Sequence, residues 1–127
     1  MIRLIYVSLA LFLSVFLTAQ NDSCVVLKTK EIISIQMKFV NPKNATLSRE
    51  LFLKPKDILV FADKWNNLSP DTTTESPKPK YFFFVTLKNK KAYYFAVSGN
   101  QITDKKCFRS SPDNAMFFDK LWDSLTE

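Results

Sequence analysis

Histidine is absent from this sequence, glycine occurs once and cysteine twice. Without histidine the chain lacks the usual general base near neutral pH and the usual zinc ligand. The single glycine, Gly99, excludes the glycine-rich loops that cradle phosphate groups. Cys24 and Cys107, with no histidine to join them, make no zinc-site spacing. The 12 acidic residues are scattered, and Asp119 and Asp123 fall on the polar side of a helical pattern, where solvation accounts for them. No spacing points to a paired-carboxylate site. These absences argue against an enzyme and against any metal or cofactor.

What is present begins with an address. Residues 1–19, MIRLIYVSLALFLSVFLTA, carry one base, Arg3, then an apolar run and a small-residue ending. A charged start, a short apolar middle and such a cut site form a secretory signal peptide. The run is shorter than the roughly 20 apolar residues of a spanning helix. Polar Gln20, Asn21 and Asp22 follow it directly, so no stable membrane span is expected after cleavage. Cleavage would remove Arg3 and no acid, leaving a basic chain over residues 20–127, enough for a single secreted or periplasmic domain. In an oxidising compartment Cys24 and Cys107 are expected to pair as a clasp. The lysines never form a block longer than two, which reads as a solvated basic surface. An extracellular protein or an anionic surface is the expected partner; nucleic acid is not.

Alternation of apolar and polar residues then maps strands. In EIISIQMKFV, Ile33, Ile35, Met37 and Phe39 share one face, while Ser34, Gln36 and Lys38 share the other. CVVLKTK before it reads as a further strand or as the start of one long bent strand. LSRELFLK places Leu47, Leu51 and Leu53 on one side, and DILVFAD is a continuous apolar run beyond Pro55, which ends any ladder. Residues 66–80, NNLSPDTTTESPKPK, have no apolar residue after Leu68 and read as a mobile loop. QITDKKCF, after Gly99 and Asn100, reads as a last strand.

The densest stretch is YFFFVTLKNKKAYYFAV, residues 81–97, two strand lengths around Asn89 and Lys90. Tyr81, Phe83, Val85 and Leu87 share one face, with Phe82, Phe84, Thr86 and Lys88 on the other. The first face is wholly apolar; the second starts aromatic and ends polar. In the tail, Ser111, Pro112 and Asp113 supply a capping hydroxyl, a first-turn proline and a carboxylate for a helix over residues 112–126. Ala115, Phe118, Leu121, Trp122 and Leu125 recur at helical spacing. That stripe is expected to dock on the aromatic hairpin, so the rings supply packing area.

The fold class expected is therefore mainly β (α+β): an antiparallel six- to seven-stranded bent sheet or roll closed by one C-terminal amphipathic helix. YFFFVTLKNKKAYYFAV leading into FFDKLWDSL, with Trp122 in the last helix, resembles the pleckstrin-homology-like roll over residues 24–125. The resemblance implies a bent antiparallel sheet closed at one end by the final helix. It also implies a phosphoinositide site around the first hairpin. Lys28, Lys30 and Lys38 overlie it loosely, no arginine accompanies them, and an exported chain would not meet cytoplasmic inositol lipids. The fold is carried over and the ligand is not.

Trp65, at the rim of the polar loop, together with Lys78 and Lys80, forms the candidate partner-binding set. The function expected is a non-catalytic binding module acting through that loop or a free sheet edge. The competing expectation is a carrier of a small apolar ligand inside the roll, motivated by the aromatic excess.

Overall fold

The computed structural model describes residues 24–41, 43–44, 48–71, 78–104 and 107–127; the candidate signal at residues 1–19 lies outside the described residues. Among the described residues the strands are β1 (Ile32–Phe39), β2 (Arg49–Phe52), β3 (Ser69–Pro70), β4 (Tyr81–Leu87), β5 (Ala92–Ser98), β6 (Gln101–Thr103) and β7 (Phe108–Ser110). They form one open antiparallel sheet in the order β2-β1-β4-β5-β6-β7-β3. Two helices, α1 (Pro55–Asn67) and α2 (Asn114–Thr126), accompany it. The α+β class and the C-terminal helix are as the sequence implies.

Helix α1 replaces the strand expected over DILVFAD. Its inward residues Ile58, Phe61, Ala62 and Trp65 follow the three- and four-residue spacing of a helix, while Leu59 and Val60 stay exposed. As a strand the same segment would be apolar on both faces and need cover on both. Pro55, which ends a ladder, equally opens a helix, because its φ is pre-set and its missing N–H is not needed there. A short apolar run fits both elements; the amphipathic spacing through Trp65 decides for the helix.

Both helices lie on the same face of the sheet. The Phe61 ring stacks on Phe83 of β4 with centroids 4.4 Å apart, meets Phe95 of β5 edge-on at 5.6 Å and faces Phe118 of α2 at 6.4 Å. Phe118 in turn contacts Phe83 at 5.3 Å, and Trp122 lies beside Phe39 and Tyr81. The terminal stripe docks on the aromatic hairpin as expected. Lys64 of α1 and Asp113, just before α2, meet at 3.2 Å, an exposed pair that adds little.

The CVVLKTK strand does not form. Leu27 instead exchanges two hydrogen bonds with the Asn66 side-chain amide, donating to Oδ1 at 2.9 Å and accepting from Nδ2 at 2.8 Å. The Trp65 indole N–H donates to the Val25 carbonyl. Side chains of α1 thus satisfy backbone groups that a neighbouring strand would otherwise engage. Thr29–Glu31 is a single 3-10 turn leading into β1.

Three further local readings are corrected. Ile32 and Ser34 oppose the adjacent residues Leu87 and Thr86, so Ile33 is the extra residue of a β-bulge. The bulge puts Ile32, not Ile33, into the core. The last strand divides into β6 and β7, and the start of the expected loop at residues 66–80 is structured. Asn66 and Asn67 end α1, and β3 pairs with β7, closing that edge with Pro70. At the tip of the β4–β5 hairpin Lys90 takes the left-handed conformation (φ 70°), while the Asn89 side chain accepts from the Lys91 N–H.

Helix α2 is capped from a neighbouring turn. The Asn100 side-chain oxygen accepts from the Ala115 N–H at 2.9 Å, and the buried Asn114 amide donates back to the Asn100 carbonyl. The Ser111 hydroxyl, expected as the cap, is turned to the Asp113 carboxylate. A disulfide joins Cys24 to Cys107 across 83 residues. Replacing both cysteines with serine should lower the unfolding free energy by ~4–5 kcal/mol, the chain-entropy value for a loop this long, as read by urea titration. Phe61→Ala should cost a further ~3–5 kcal/mol by the same assay, because no neighbouring side chain can refill its place.

Candidate functional site

The face of the sheet turned away from the helices carries the site. Strand alternation sends Phe83 and Phe95 inward and their neighbours Phe82, Phe84 and Tyr94 outward. The registers align the outward residues in rows. One row reads Phe52, Gln36, Phe84 and Tyr94; the next reads Glu50, Lys38, Phe82, Ala96 and Thr103. With strands ~4.8 Å apart and rows ~6.8 Å apart, this grid presents a few hundred Å².

Its aromatic content is unusual for a solvent-facing surface. Phe52 is 65% exposed, Tyr94 57% and Phe82 38%; Phe84 is half-buried against Tyr94, edge-on at 4.7 Å. Polar groups of β1 and β2 lie between Phe52 and the rings of the hairpin. Gln36 Nε2 donates to Glu50 Oε2 at 3.0 Å, and Lys38 Nζ lies 3.9 Å from Glu50 Oε1. Because Lys38 and Glu50 neutralise each other, the patch carries no strong field. Gln36, Lys38, Glu50, Phe82, Phe84 and Tyr94 line a shallow open cleft of about 390 Å³, and Phe52 stands outside it. Exposed apolar surface of this kind, here Phe82, Phe84 and Tyr94 with Phe52 across Gln36, marks an interaction site.

The residues selected from sequence fare differently. Trp65 is buried, with 1% of its surface exposed, and is not available to a partner. Its ring packs against Phe95 at 4.7 Å and is covered by the Arg109 guanidinium at 4.7 Å, while Arg109 Nη1 also donates to the Trp65 carbonyl. The cause of the correction is α1: the helix turns Trp65 inward, whereas a strand ending in a loop would leave it at the rim. Lys80 is exposed but bound to Asp119 of α2 at 2.9 Å. Lys78 is exposed beside residues 72–77, which lie outside the described residues. The three do not gather into a site. Phe52, Phe82 and Tyr94 were the missed residues. Their signal was present in the second, partly aromatic face of the hairpin and in the parity of Phe52 against Leu51 and Leu53.

A second cluster has the residue types of chemistry but the wrong polarity. The Tyr81 hydroxyl donates to Asp119 Oδ1 at 2.6 Å, and Lys80 Nζ donates to the same oxygen. Burial, then the hydrogen bond and the charges of Asp119 and Asp123, push the Tyr81 phenol well above its ordinary 10.0. Burial works to raise the Asp119 carboxyl, but hydrogen bonds from Tyr81 and Lys80 outweigh it and hold the carboxyl below its ordinary 3.8. A phenol locked in its protonated form is the opposite of an activated base. The cluster ties α2 to β4. Among the described residues no group of three or more acids and cysteines is placed to hold a metal ion, and no described helix is long and apolar enough to cross a membrane.

No family model, no curated protein and no solved structure matches this chain, so nothing outside it bears on the resemblance to pleckstrin-homology-like rolls.

The Tyr81–Asp119 clasp has a defined pH window. Asp119, with its folded pKa lowered, stabilises the fold above the ordinary carboxylate range and loses that contribution as pH falls through its folded value. Tyr81, with its folded pKa raised, stabilises it below 10.0 and loses that contribution as pH rises beyond. In urea titrations between neutral pH and about pH 11, the wild-type midpoint should fall at the alkaline end. Tyr81→Phe should be less stable at neutral pH and show a shallower alkaline decline.

Proposed function

We propose that this protein is a non-catalytic, exported binding module whose open sheet face grips a partner protein. The single observation that carries the reading is the set of large rings, Phe52, Phe82 and Tyr94, exposed on a face no described element covers. Rings flanked by hydrogen-bonding groups have the make-up of an interface centre, in which a few aromatic anchors dominate and a polar rim excludes water. At a few hundred Å² the face is smaller than the roughly 800 Å² each partner contributes to a stable complex, so it forms the centre of a contact and not the whole. The Cys24–Cys107 disulfide fits an oxidising compartment, and secretion through a cleaved signal at residues 1–19 completes the reading.

The carrier reading would require the aromatic residues to line a void. Against it stands the mutual contact of Phe61, Phe83, Phe95 and Phe118, each only 1% exposed. Those rings are consumed by cohesion. Of the other described rings, Phe52, Phe82 and Tyr94 are the ones left exposed, and they lie on the open face.

The test is the double variant Phe52→Ser, Tyr94→Ser, with Trp65 left intact. Its thermal unfolding should stay close to wild type, because both side chains are more than half exposed and outside the core. Capture of a cross-linked partner from the host's extracellular fraction should fall by about tenfold or more, the usual consequence of losing two aromatic anchors. Capture equal to wild type would remove the open face from consideration.

A further inference from the structure

Five lysines from two distant parts of the sequence meet in space. The Lys88 N–H donates to the Glu31 carbonyl at 2.8 Å, which sets the β4–β5 turn against the 3-10 turn ahead of β1. Lys28 and Lys30 on one turn and Lys88, Lys90 and Lys91 on the other therefore share one end of the sheet, and all five are exposed. Among the described residues none of the five has an ion pair within 4 Å. The acids lining the adjoining cleft are Glu31 and Asp63, both exposed. Beside the 3-10 turn runs an open cleft of about 610 Å³, bounded by Lys28, Thr29, Lys30 and Glu31 on one side and by Leu59, Asp63 and Asn66 of α1 on the other.

We infer that this basic end is a second binding surface, independent of the aromatic face, and that its ligand is a linear acidic polysaccharide. Charge complementarity gives the sign of the ligand. Its form follows from the arrangement. Five point charges on two separate turns make a band rather than a pocket, so they match a polymer with charge repeated along its length better than one small anion. Lysine, a compact charge on a flexible stem, suits such a loosely defined contact, whereas the planar fork of arginine would suit a bidentate one. The cleft borders the band at Lys28 and Lys30 and makes that edge concave. A flat membrane would meet only the lysines that lie in one plane, whereas a flexible chain can follow them from one turn to the other along the lip of the cleft, clear of Asp63 on its α1 wall. The Thr29 hydroxyl there is of the kind that meets sugar hydroxyls, while the Asn66 amide is already engaged by the Leu27 backbone. An exported protein with this surface would be held on an acidic extracellular matrix while its aromatic face stays free.

The test uses the full disulfide-bonded protein with polygalacturonate as probe and neutral dextran as control. Polygalacturonate should bind and dextran should not. Raising salt from about 0.1 M to about 1 M should abolish binding as the Debye length shrinks from ~10 Å to ~3 Å. Lys88→Gln, Lys90→Gln, Lys91→Gln together should weaken binding roughly tenfold or more. The charge-matched variant Lys43→Gln, Lys78→Gln, Lys120→Gln should bind as wild type. Equal loss in both triple variants would trace the effect to net charge and overturn the assignment. So would binding to phosphatidylglycerol vesicles without binding to the polysaccharide, or binding that salt does not weaken. The Phe52→Ser, Tyr94→Ser variant should bind polygalacturonate normally, which separates this surface from the aromatic one.

Discussion

The architecture depends on one contact: the Phe61 ring of α1 set against Phe83, Phe95 and Phe118. It joins α1, the central hairpin and α2 at a single place. A two-layer fold needs something to hold both helices to one face of the sheet, and burial of large apolar area is the strongest means available to a chain of this size. Once α1 is fixed there, Trp65 is carried inward, Asn66 is positioned to engage Leu27, and Arg109 closes over the indole. The disulfide then fastens the start of the described chain to the β6–β7 end.

The same contact explains why the opposite face is open. Both helices are spent on one side of the sheet, and no described element remains for the other. A strand cannot carry three successive phenylalanines without placing at least one on its outer face. Here Phe83 serves the core while Phe82 and Phe84 do not. Cohesion and recognition are thus supplied by alternate residues of a single hairpin, which is why ring-rich sequence cannot be assigned wholesale to either role.

Much of this was legible beforehand. The hairpin, its two faces, the terminal helix and its docking, and the cysteine clasp follow from periodicity and pairing that local geometry enforces. The misreadings have local causes too. Pro55 opens a helix as readily as it ends a strand. One inserted residue at Ile33 shifts the parity of all that precedes it. Trp65 read as a rim residue only because the segment before it read as a strand. Of the candidate site, the outward aromatic residues of the hairpin were visible in the alternation. The outward parity of Phe52 was visible too, but its place beside Gln36 was not, since that depends on the pairing of β2 with β1.

By itself the sequence determined which faces are apolar, which residues can pair covalently and which chemistries lack their side chains, because these depend on residue type and short-range spacing. The tertiary structure alone decided where α1 sits, that one sheet face stays uncovered, and that lysines some sixty residues apart meet at one end. Contacts of that kind are set by the order of strands and by which layer each helix joins, and no local period along the chain encodes either.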